Sequence, residues 1–397
     1  MMPVLWITGP AGVGKSTVSW QLFTELAGSG TPTAFADADQ LCMCYPARPD
    51  DPGRDRIRAR NAGVVIRNAR AAGARRMIVN GVVDAGLGVR RDLLGQAAVM
   101  VCRLRADRDE VVRRLTGRQP GGDGDEADLA AQVRDQCDRM DASAWADVVV
   151  DTTGVAAARV ARLVRDRCRD WPGFGVAAGP PGAAPAGPAS SPAQAPAPAP
   201  GGRVLLLCGP TGVGKSTIGF QLYLRCLGAG HTTGYLDLDQ IGFLSLSRAG
   251  DPRSHELKAR NLGGIWPAYH AAGARHLVLA GPVDSQAALR TYAAALPAAQ
   301  ITVCRLHAGP AELRRRIMTR GEGGGWPQPG DPLRGQPASH LSRVADQTAA
   351  DAQVLEHTAL DALRIDTTQR TAGEAADLIA TITGWPLPDG QVRASPR

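Results

Sequence analysis

Short apolar runs alternate with amphipathic segments along the first half of the chain. The apolar runs predict β-strands at residues 4–8, 33–36, 76–80, 98–103 and 147–150. Between them, apolar positions with helical spacing predict helices over residues 15–27, 54–72, 108–116, 128–140 and 155–169. Strands that are apolar on both faces and alternate with helices are typical of a covered parallel sheet. We therefore expect an α/β fold, a three-layer α/β/α sandwich with a mainly parallel five-stranded sheet and ligands beyond the carboxyl ends of its strands.

The same pattern returns in the second half of the chain. Residues 9–17 (GPAGVGKST) recur as residues 209–217 (GPTGVGKST) with a single change. Further matches keep the same order: 37–40 with 237–240, 59–61 with 259–261, 71–75 with 271–275, 83–84 with 283–284, 101–104 with 303–306 and 151–153 with 366–368. A colinear series of this length indicates a duplicated domain.

Composition separates the two copies. Residues 172–202 are almost entirely Pro, Ala, Gly and Ser, which is typical of an extended linker. We therefore expect one domain over residues 1–171, a second over residues 203–387, and a disordered tail over residues 388–397. A duplication of this kind also allows the two domains to pair as an intramolecular pseudo-dimer.

Length and composition limit the class of protein. With 397 residues, 44% of them hydrophobic, the chain is long enough for two soluble domains. No apolar run approaches the roughly 18 residues that span a bilayer. The first strand begins too early for a signal peptide, so we expect a cytoplasmic protein with no membrane partner. The scattered cysteines form no CxxC pair and are expected to be reduced, and the role of the Cys42-x-Cys44 pair stays open.

The basic residues are unusual in kind. The net charge is +7, yet lysine occurs only at Lys15, Lys215 and Lys258. Two of these lie in the repeated motif, where the wide guanidinium of arginine cannot replace a compact ammonium. Excess positive charge suits phosphorylated ligands and permits nucleic acid, but an aromatic content of 4% gives poor support for a base-stacking surface.

The repeated motif G-x-x-x-x-G-K-S follows a predicted strand and opens a predicted helix, which is the context of a P-loop, the phosphate-binding loop of many ATP-binding proteins. Its glycines let backbone N–H groups face a phosphate at the positive end of the helix. We expect each lysine to reach the β- and γ-phosphates of ATP, each serine to bind Mg²⁺, and each threonine to lie near the α-phosphate. The expected nucleotide-binding residues are Gly9, Gly12, Gly14, Lys15, Ser16 and Thr17, with Gly209, Gly212, Gly214, Lys215, Ser216 and Thr217.

An Asp-x-Asp pair ends the second predicted strand of each copy. Carboxylates at positions i and i+2 past a strand end can face the γ-phosphate together, where one holds Mg²⁺ and the other accepts a proton from a substrate hydroxyl. We assign Asp39 and Asp239 as base or metal ligand, and Asp37 and Asp237 to the substrate side. A solvated, Asp-rich turn is the alternative interpretation.

Arginines recur on two helices of each copy. Arg60 and Arg260 follow the Asp-x-Asp pair, where they could bind a phosphate- or sulfate-bearing acceptor or simply lie at the surface.

A later helix carries Arg114 and Arg118 in the first copy and Arg316 and Arg320 in the second. Because this helix leads into a variable Gly-rich segment, it resembles the start of a kinase lid. Arg118 and Arg320 are our candidates for neutralising the transferring phosphoryl group; a solvated helix face is the alternative.

Two further matches carry no single interpretation. Asp84 and Asp284 follow the third strand, where a second Mg²⁺-binding or substrate-binding carboxylate could lie, and their role stays open. The Asp-Thr-Thr at residues 151–153 and 366–368 follows the last strand, either beside a nucleotide base or as a helix cap.

Taken together, these motifs resemble the small-molecule kinases with a P-loop, the group of adenylyl-sulfate, gluconate, shikimate and chloramphenicol kinases. Adenylyl-sulfate kinases have Asp-Gly-Asp-Asn at the end of strand two, similar to residues 37–40 and 237–240. Their next helix carries Arg-Arg-Ile-Gly and ends in Ala-Gly, similar to residues 60–63 and 72–73 and to residues 260–263 and 272–273.

The chain departs from that family at defined positions. Gln40 and Gln240 replace the Asn of the strand-end motif, Arg58 or Lys258 stands where a substrate-contacting Asn is expected, and the family's lid sequence is absent. The resemblance therefore implies a P-loop kinase fold, Mg-ATP binding and phosphoryl transfer, but not adenylyl sulfate as the acceptor. The phosphate loops by themselves are also compatible with an AAA-type ATP-binding protein.

Three functions follow from the sequence. The leading one is an Mg-ATP-dependent phosphotransferase that acts on an alcohol group of a small hydroxyl-bearing or phosphorylated molecule, with ATP and Mg²⁺ as cofactors. The second is a kinase for nucleic-acid ends. The third is an ATP-binding or ATPase switch with no small-molecule acceptor.

Overall fold

A computed structural model describes residues 1–116, 126–175, 200–246, 250–324 and 331–386. The strands of the first repeat are β1 (Met2–Thr8), β2 (Thr33–Asp37), β3 (Cys44–Tyr45), β4 (Arg76–Asn80), β5 (Ala97–Arg105) and β6 (Val148–Asp151). Its helices are α1 (Lys15–Ala27), α2 (Asp55–Ala71), α3 (Arg108–Thr116), α4 (Glu126–Asp141) and α5 (Ala157–Arg167).

The second repeat contributes the same kinds of element. Its strands are β7 (Gly202–Cys208), β8 (Thr233–Asp237), β9 (Phe243–Leu244), β10 (His276–Ala280), β11 (Ala299–His307) and β12 (Leu363–Asp366). Its helices are α6 (Lys215–Gly228), α7 (His255–Ala271), α8 (Gln286–Ala295), α9 (Pro310–Gly321), α10 (Ala338–His357) and α11 (Ala372–Thr383). Short 3₁₀ turns lie at Gln40–Cys42, Arg91–Leu93 and Pro172–Phe174. In the part of the chain that the structure describes, no helix is long and apolar enough to cross a membrane.

The α/β fold predicted from the sequence is confirmed. Each predicted strand and helix of the first repeat is present, and no end differs from its predicted position by more than two residues. Each sheet has five parallel strands, as expected, and a sixth antiparallel strand that the sequence pattern did not predict. The strand orders are β6-β5-β1-β4-β2-β9 in the first sheet and β12-β11-β7-β10-β8-β3 in the second.

The crossovers place helices on both faces of the first sheet. From β1 the chain moves outward to β2 and then back to β4, and because parallel crossovers are right-handed, α1 and α2 lie on opposite faces. Helices α1 and α5 share one buried core with alternate strand residues such as Leu5, Ile7 and Ile78. Residues of the other face, such as Trp6 and Val79, are also buried. The sheet is therefore covered on both faces, as its apolar strands predict.

The second sheet is built in the same way. Its core joins α6 and α11 to strand residues such as Leu205, Val278 and Leu306. The last helix, α11, begins with a complete capping box, in which the Thr371 hydroxyl accepts from the backbone N–H of Glu374 and the Glu374 carboxylate accepts from Thr371.

The sixth strand of each sheet comes from the other repeat. In the first sheet β9 pairs with β2, with Phe243 opposite Phe35 and Leu244 opposite Ala34. The Phe243 ring packs against Trp20 and Phe35, with centroid distances of 5.0 and 5.6 Å. In the second sheet β3 pairs with β8, and Met43 O accepts from Tyr235 N at 2.8 Å. Strands β2 and β8 are thereby paired on both sides, while β6 and β12 form the opposite edges of the two sheets.

The two compact units reflect this exchange. Unit 1 takes its described residues from Met1–Cys42, Ala47–Pro196 and Gln240–Ala268, and unit 2 from Met43–Pro46, Ala197–Asp239 and Tyr269–Arg397. The domain limits predicted from composition stay a prediction. Of the predicted linker, Pro172–Phe174 forms a 3₁₀ turn and Gly202 begins β7, while residues 176–199 lie outside the described residues, as does the predicted tail over 388–397.

Replacing Phe243 with Ala tests the added strand. Loss of a partly buried ring from the cluster around Trp20 should lower the free energy of unfolding by about 2–3 kcal/mol, less than for a fully buried phenylalanine. It should also speed amide hydrogen exchange in β2, measured by mass spectrometry. Leu87→Ala, at a side chain that is 69% exposed, is the control. Equal stability and equal exchange in the two variants would contradict the β2–β9 pairing.

Candidate active site

Each phosphate loop is shaped by one glycine at the end of a central strand. Gly9 has φ 146° and Gly209 has φ 139°, a region that side chains rarely adopt. A Cβ at either position would collide with a backbone carbonyl of the neighbouring strand, Leu104 O or Leu306 O. Only glycine lets the chain turn here, and the turn directs the loop into the first residue of α1 or α6.

The loop lysines lie over the loops that they belong to. Lys15 Nζ donates to Pro10 O at 3.0 Å, and Lys215 Nζ donates to Gly209 O and Pro210 O at 3.1 and 3.0 Å. Burial lowers the pKa of Lys215, and the charges of Asp239 and Asp237 act against that shift. Both ammonium groups therefore lie at the phosphate loops, near enough to the Asp-x-Asp pair for the charges to act on one another. Contact of the lysines with the β- and γ-phosphates stays a prediction.

The first carboxylate of each pair is linked to the serine of the loop, directly in the second repeat and through Asn80 in the first. In the second repeat Ser216 Oγ donates to Asp237 Oδ2 at 2.6 Å. In the first, Asn80 Nδ2 donates to Ser16 Oγ at 3.2 Å, and the Asn80 side chain also hydrogen-bonds to Asp37. Burial, and then the neighbouring charge of Asp39, raise the pKa of Asp37 to about 7, against the hydrogen bond from Asn80.

The second carboxylate of the first pair is held by a buried cation. Asp39 Oδ1 lies 3.2 Å from Arg58 Nε and accepts from Val82 N at 3.1 Å. Arg58 is buried and also pairs with Asp55. The position where the adenylyl-sulfate kinase resemblance expects a substrate-contacting Asn therefore holds Asp39 in place. Asp39 itself is 36% exposed, so it remains accessible to a ligand.

Two arginines on the helix that the sequence likens to the start of a lid hydrogen-bond to the phosphate loops. Arg114 donates to Val13 O and to Thr152 O, at 3.3 and 3.0 Å. The equivalent bonds of the second repeat run from Arg316 to Val213 O and Thr367 O, at 2.9 and 2.8 Å. A glutamate four residues earlier pairs with each arginine, Glu110 and Glu312.

The Asp-Thr-Thr motif closes the same region. Thr153 Oγ1 accepts from Asp107 N at 2.9 Å, just before α3, and Thr368 Oγ1 accepts from Gly309 N at 3.0 Å, just before α9. The second threonine of the motif therefore binds the backbone just before α3 or α9, the helices that carry Arg114 and Arg316. It does not cap the helix that follows the motif.

The other predicted arginines differ in their surroundings. Arg320 pairs with Asp331 Oδ2 at 2.7 Å, and its charge acts on Lys215, so it lies near the second phosphate loop. Arg118 lies outside the described residues. Arg60 and Arg260 are exposed, and Arg260 Nε donates to Glu256 O one turn earlier on α7. A substrate-binding role for Arg60 and Arg260 stays a prediction.

Two residues whose roles the sequence left open have defined surroundings, and their roles stay open. Asp84 accepts from the backbone N–H of Gly86 and Leu87, at 2.8 and 2.7 Å, and so closes its own turn. Cys42 is buried, and burial raises the pKa of its thiol to about 11. Within the described ranges, no group of three or more His, Cys, Asp or Glu side chains could hold a metal ion.

Neither a protein-family model nor a curated protein matches the chain. Among solved structures it is similar to an unliganded sugar kinase from Janibacter sp. HTCC2649, with 17% identity and a TM-score of 0.31 over 43% of this chain and 95% of that one. A gluconokinase from Sinorhizobium meliloti 1021 is 13% identical, with a TM-score of 0.28 over 48% of this chain and 99% of that one. The Mycobacterium tuberculosis APS kinase, solved with AMPPNP and APS, is 19% identical, with a TM-score of 0.28 over 46% of this chain and 98% of that one. Similarity at these identities carries no information on substrate.

The arginine–glutamate pair beside the second loop should give a defined pH dependence. Hydrogen bonds from Arg315 and then Arg316 lower the pKa of Glu312 from 4.5 to about 2. Because the folded-state pKa is lowered, the stability that Glu312 contributes is present above its unfolded-state pKa and is lost as the pH falls through about 2. Glu312→Gln should therefore be less stable than wild type at pH 7, and the difference should shrink between pH 4.5 and 2.

Urea denaturation at a series of pH values measures this difference. The control is Glu322→Gln, an exposed glutamate at the end of α9. A Glu312→Gln variant that matches the control at every pH would show that the carboxylate does not stabilise Arg316.

Proposed function

We propose that this chain is an Mg-ATP-dependent phosphotransferase with two nucleotide sites, one at each phosphate loop. Its acceptor is a small molecule that carries a hydroxyl group and, in one class of candidates, a phosphate or sulfate. The observation that carries the proposal is the carboxylate beside the loop serine, best seen in the 2.6 Å bond between Ser216 Oγ and Asp237 Oδ2. A loop that only binds phosphate needs no buried carboxylate at this point, whereas phosphoryl transfer requires charge to be balanced there.

The residues around each serine fit a divalent cation. Ser16 and Ser216 hydroxyls and the Asp37 and Asp237 carboxylates are oxygen donors, which Mg²⁺ prefers. When bound at these oxygens, Mg²⁺ would neutralise the negative charge that develops on the phosphates during transfer. Burial and the charge of Asp39 raise the pKa of Asp37 against the charge of Lys15, and a bound cation would further favour the charged form of this carboxylate.

Lys15 and Lys215, with the N–H groups of the loop, would hold the γ-phosphate in line with the acceptor. Asp39 and Asp239 would accept the proton of the acceptor hydroxyl. As that O–H bond breaks, the oxygen forms a bond to the γ-phosphorus, and the bond from phosphorus to the β–γ bridging oxygen breaks to release ADP. In the first repeat, Arg58 and Val82 N would hold the Asp39 carboxylate in a fixed orientation for this transfer.

The remaining candidates take supporting roles in this proposal. Arg320, freed from Asp331, would move onto the transferring phosphoryl group, and Arg118 would do the same in the first repeat. Arg60 and Arg260 would bind an anionic part of the acceptor.

The proposal predicts acceptor-dependent transfer of the terminal phosphate. Wild-type protein, incubated with γ-³²P-labelled ATP, Mg²⁺ and a small-molecule metabolite extract, should give a new labelled compound on chromatography. Lys15→Ala and Lys215→Ala should each remove the transfer that belongs to their own loop, by about 100-fold or more, because each removes a charge that is largely used in the transition state. The double variant should give none.

Arg67→Ala, at an exposed position on α2, controls for the loss of a positive charge. Circular dichroism should show that all variants remain folded. Labelled inorganic phosphate as the sole product, at a rate that the extract does not change, would contradict the proposal and indicate an ATPase switch. Label that appears only on added oligonucleotide ends would indicate a nucleic-acid kinase.

A further inference from the structure

The strand ends below the two phosphate loops differ at two buried positions. The last residue of β4 is Asn80, and the equivalent residue of β10 is Ala280. The last residue of β1 is Thr8, and that of β7 is Cys208. The backbone is the same in both repeats, because residue 80 O accepts from Ala38 N and Ala280 O accepts from Leu238 N, each at 2.7 Å. The difference therefore lies in the side chains.

At the first site this difference leaves unused hydrogen-bonding capacity. Asn80 is fully buried, and its Nδ2 group binds Ser16 Oγ while the side chain also bonds to Asp37. The Oδ1 atom of the same amide has no hydrogen-bond partner among the described residues, and neither has the buried Thr8 Oγ1. A buried polar atom without a hydrogen-bond partner is destabilising, so native proteins rarely keep one unless a ligand or water molecule supplies the partner.

The second site lacks this capacity. Ala280 brings no acceptor, and burial raises the pKa of Cys208 to about 12, so that its thiol stays neutral. Ser216 instead bonds directly to Asp237, and Tyr235 Oη donates to Ser216 O at 3.2 Å. The equivalent of Tyr235 in the first repeat is Phe35, which has no hydroxyl group.

Building on the proposed Mg-ATP function, we infer that the two sites bind the metal ion of the nucleotide unequally. Asn80 is a positioning residue of the first site, whose Oδ1 atom accepts a hydrogen bond from a water molecule on the metal. Mg²⁺ keeps several of its waters in protein sites, so such an acceptor has a partner to orient. Groups that orient metal ligands in this way typically change metal affinity about 10- to 100-fold. The second site holds the metal more weakly and binds nucleotide with less dependence on it.

The two repeats supply matched variants for the test. Lys215→Ala leaves only the first site intact, and Lys15→Ala leaves only the second. Asn80→Ala, in the Lys215→Ala background, gives the first site the residue that the second has. Ala280→Asn, in the Lys15→Ala background, does the reverse. All variants are made in the full chain, so that both units keep their exchanged segments.

The readout is Mn²⁺ affinity, measured by the EPR signal of free Mn²⁺ with the non-hydrolysable analogue adenylyl imidodiphosphate bound. The first site should bind Mn²⁺ about 10-fold or more tightly than the second, and Asn80→Ala should remove that difference. Affinity for the analogue in EDTA should not change, because the amide acts through the metal. Ala280→Asn should raise Mn²⁺ affinity, and if it does not fold, Asn80→Ala alone decides.

Equal Mn²⁺ affinities before and after Asn80→Ala would overturn the inference and leave the proposed function standing. An equal loss of analogue affinity in EDTA would also overturn it, because it would show a structural role for Asn80. If neither background binds the analogue with Mn²⁺ present, the proposed function fails, and the inference with it.

Discussion

Both candidate sites depend on the close approach of two backbone segments. The first glycine of each phosphate loop lies against a carbonyl of the neighbouring strand, at Leu104 or Leu306, where no other residue fits. On the far side of each loop an arginine, Arg114 or Arg316, binds the carbonyl of residue 13 or 213. Each loop is thus fixed by a close steric contact at its first glycine and by a charged hydrogen bond from the arginine. Its N–H groups are positioned before any ligand arrives, which is how electrostatic catalysis avoids a cost of reorganisation.

The outer strand of each parallel sheet carries the catalytic candidates at its end. Asp37 is the last residue of β2 and Asp39 follows it, and β2 pairs with β9 of the other repeat. Asp237 is the last residue of β8, which pairs with β3. The backbone of an unpaired edge strand would be free to fray, and the carboxylates at its end would then lose their fixed positions. Because these short strands are exchanged, each carboxylate pair lies at the end of a strand that is paired on both sides. Neither repeat, expressed alone within its sequence limits, would therefore contain a complete sheet.

The parallel strands and covering helices could be predicted because apolar periodicity is a local signal, and the phosphate loops because Gly, Lys and Ser have few substitutes there. The exchanged strands could not, since two residues give no periodicity and their partners lie about 200 residues away. The role of Arg114 was missed, although Glu110 four residues earlier is a readable sign of a fixed pair. The contrast between Asn80 and Ala280 is visible in the sequence, but its meaning depends on the distance to Ser16.

The proposed function requires one chain to carry two working phosphate loops. Native mass spectrometry of the full chain, with Mg²⁺ and saturating adenylyl imidodiphosphate, counts bound nucleotides directly. Two working phosphate loops would bind two nucleotides per chain, each accompanied by metal at high Mg²⁺. A maximum of one nucleotide, or none, would contradict it.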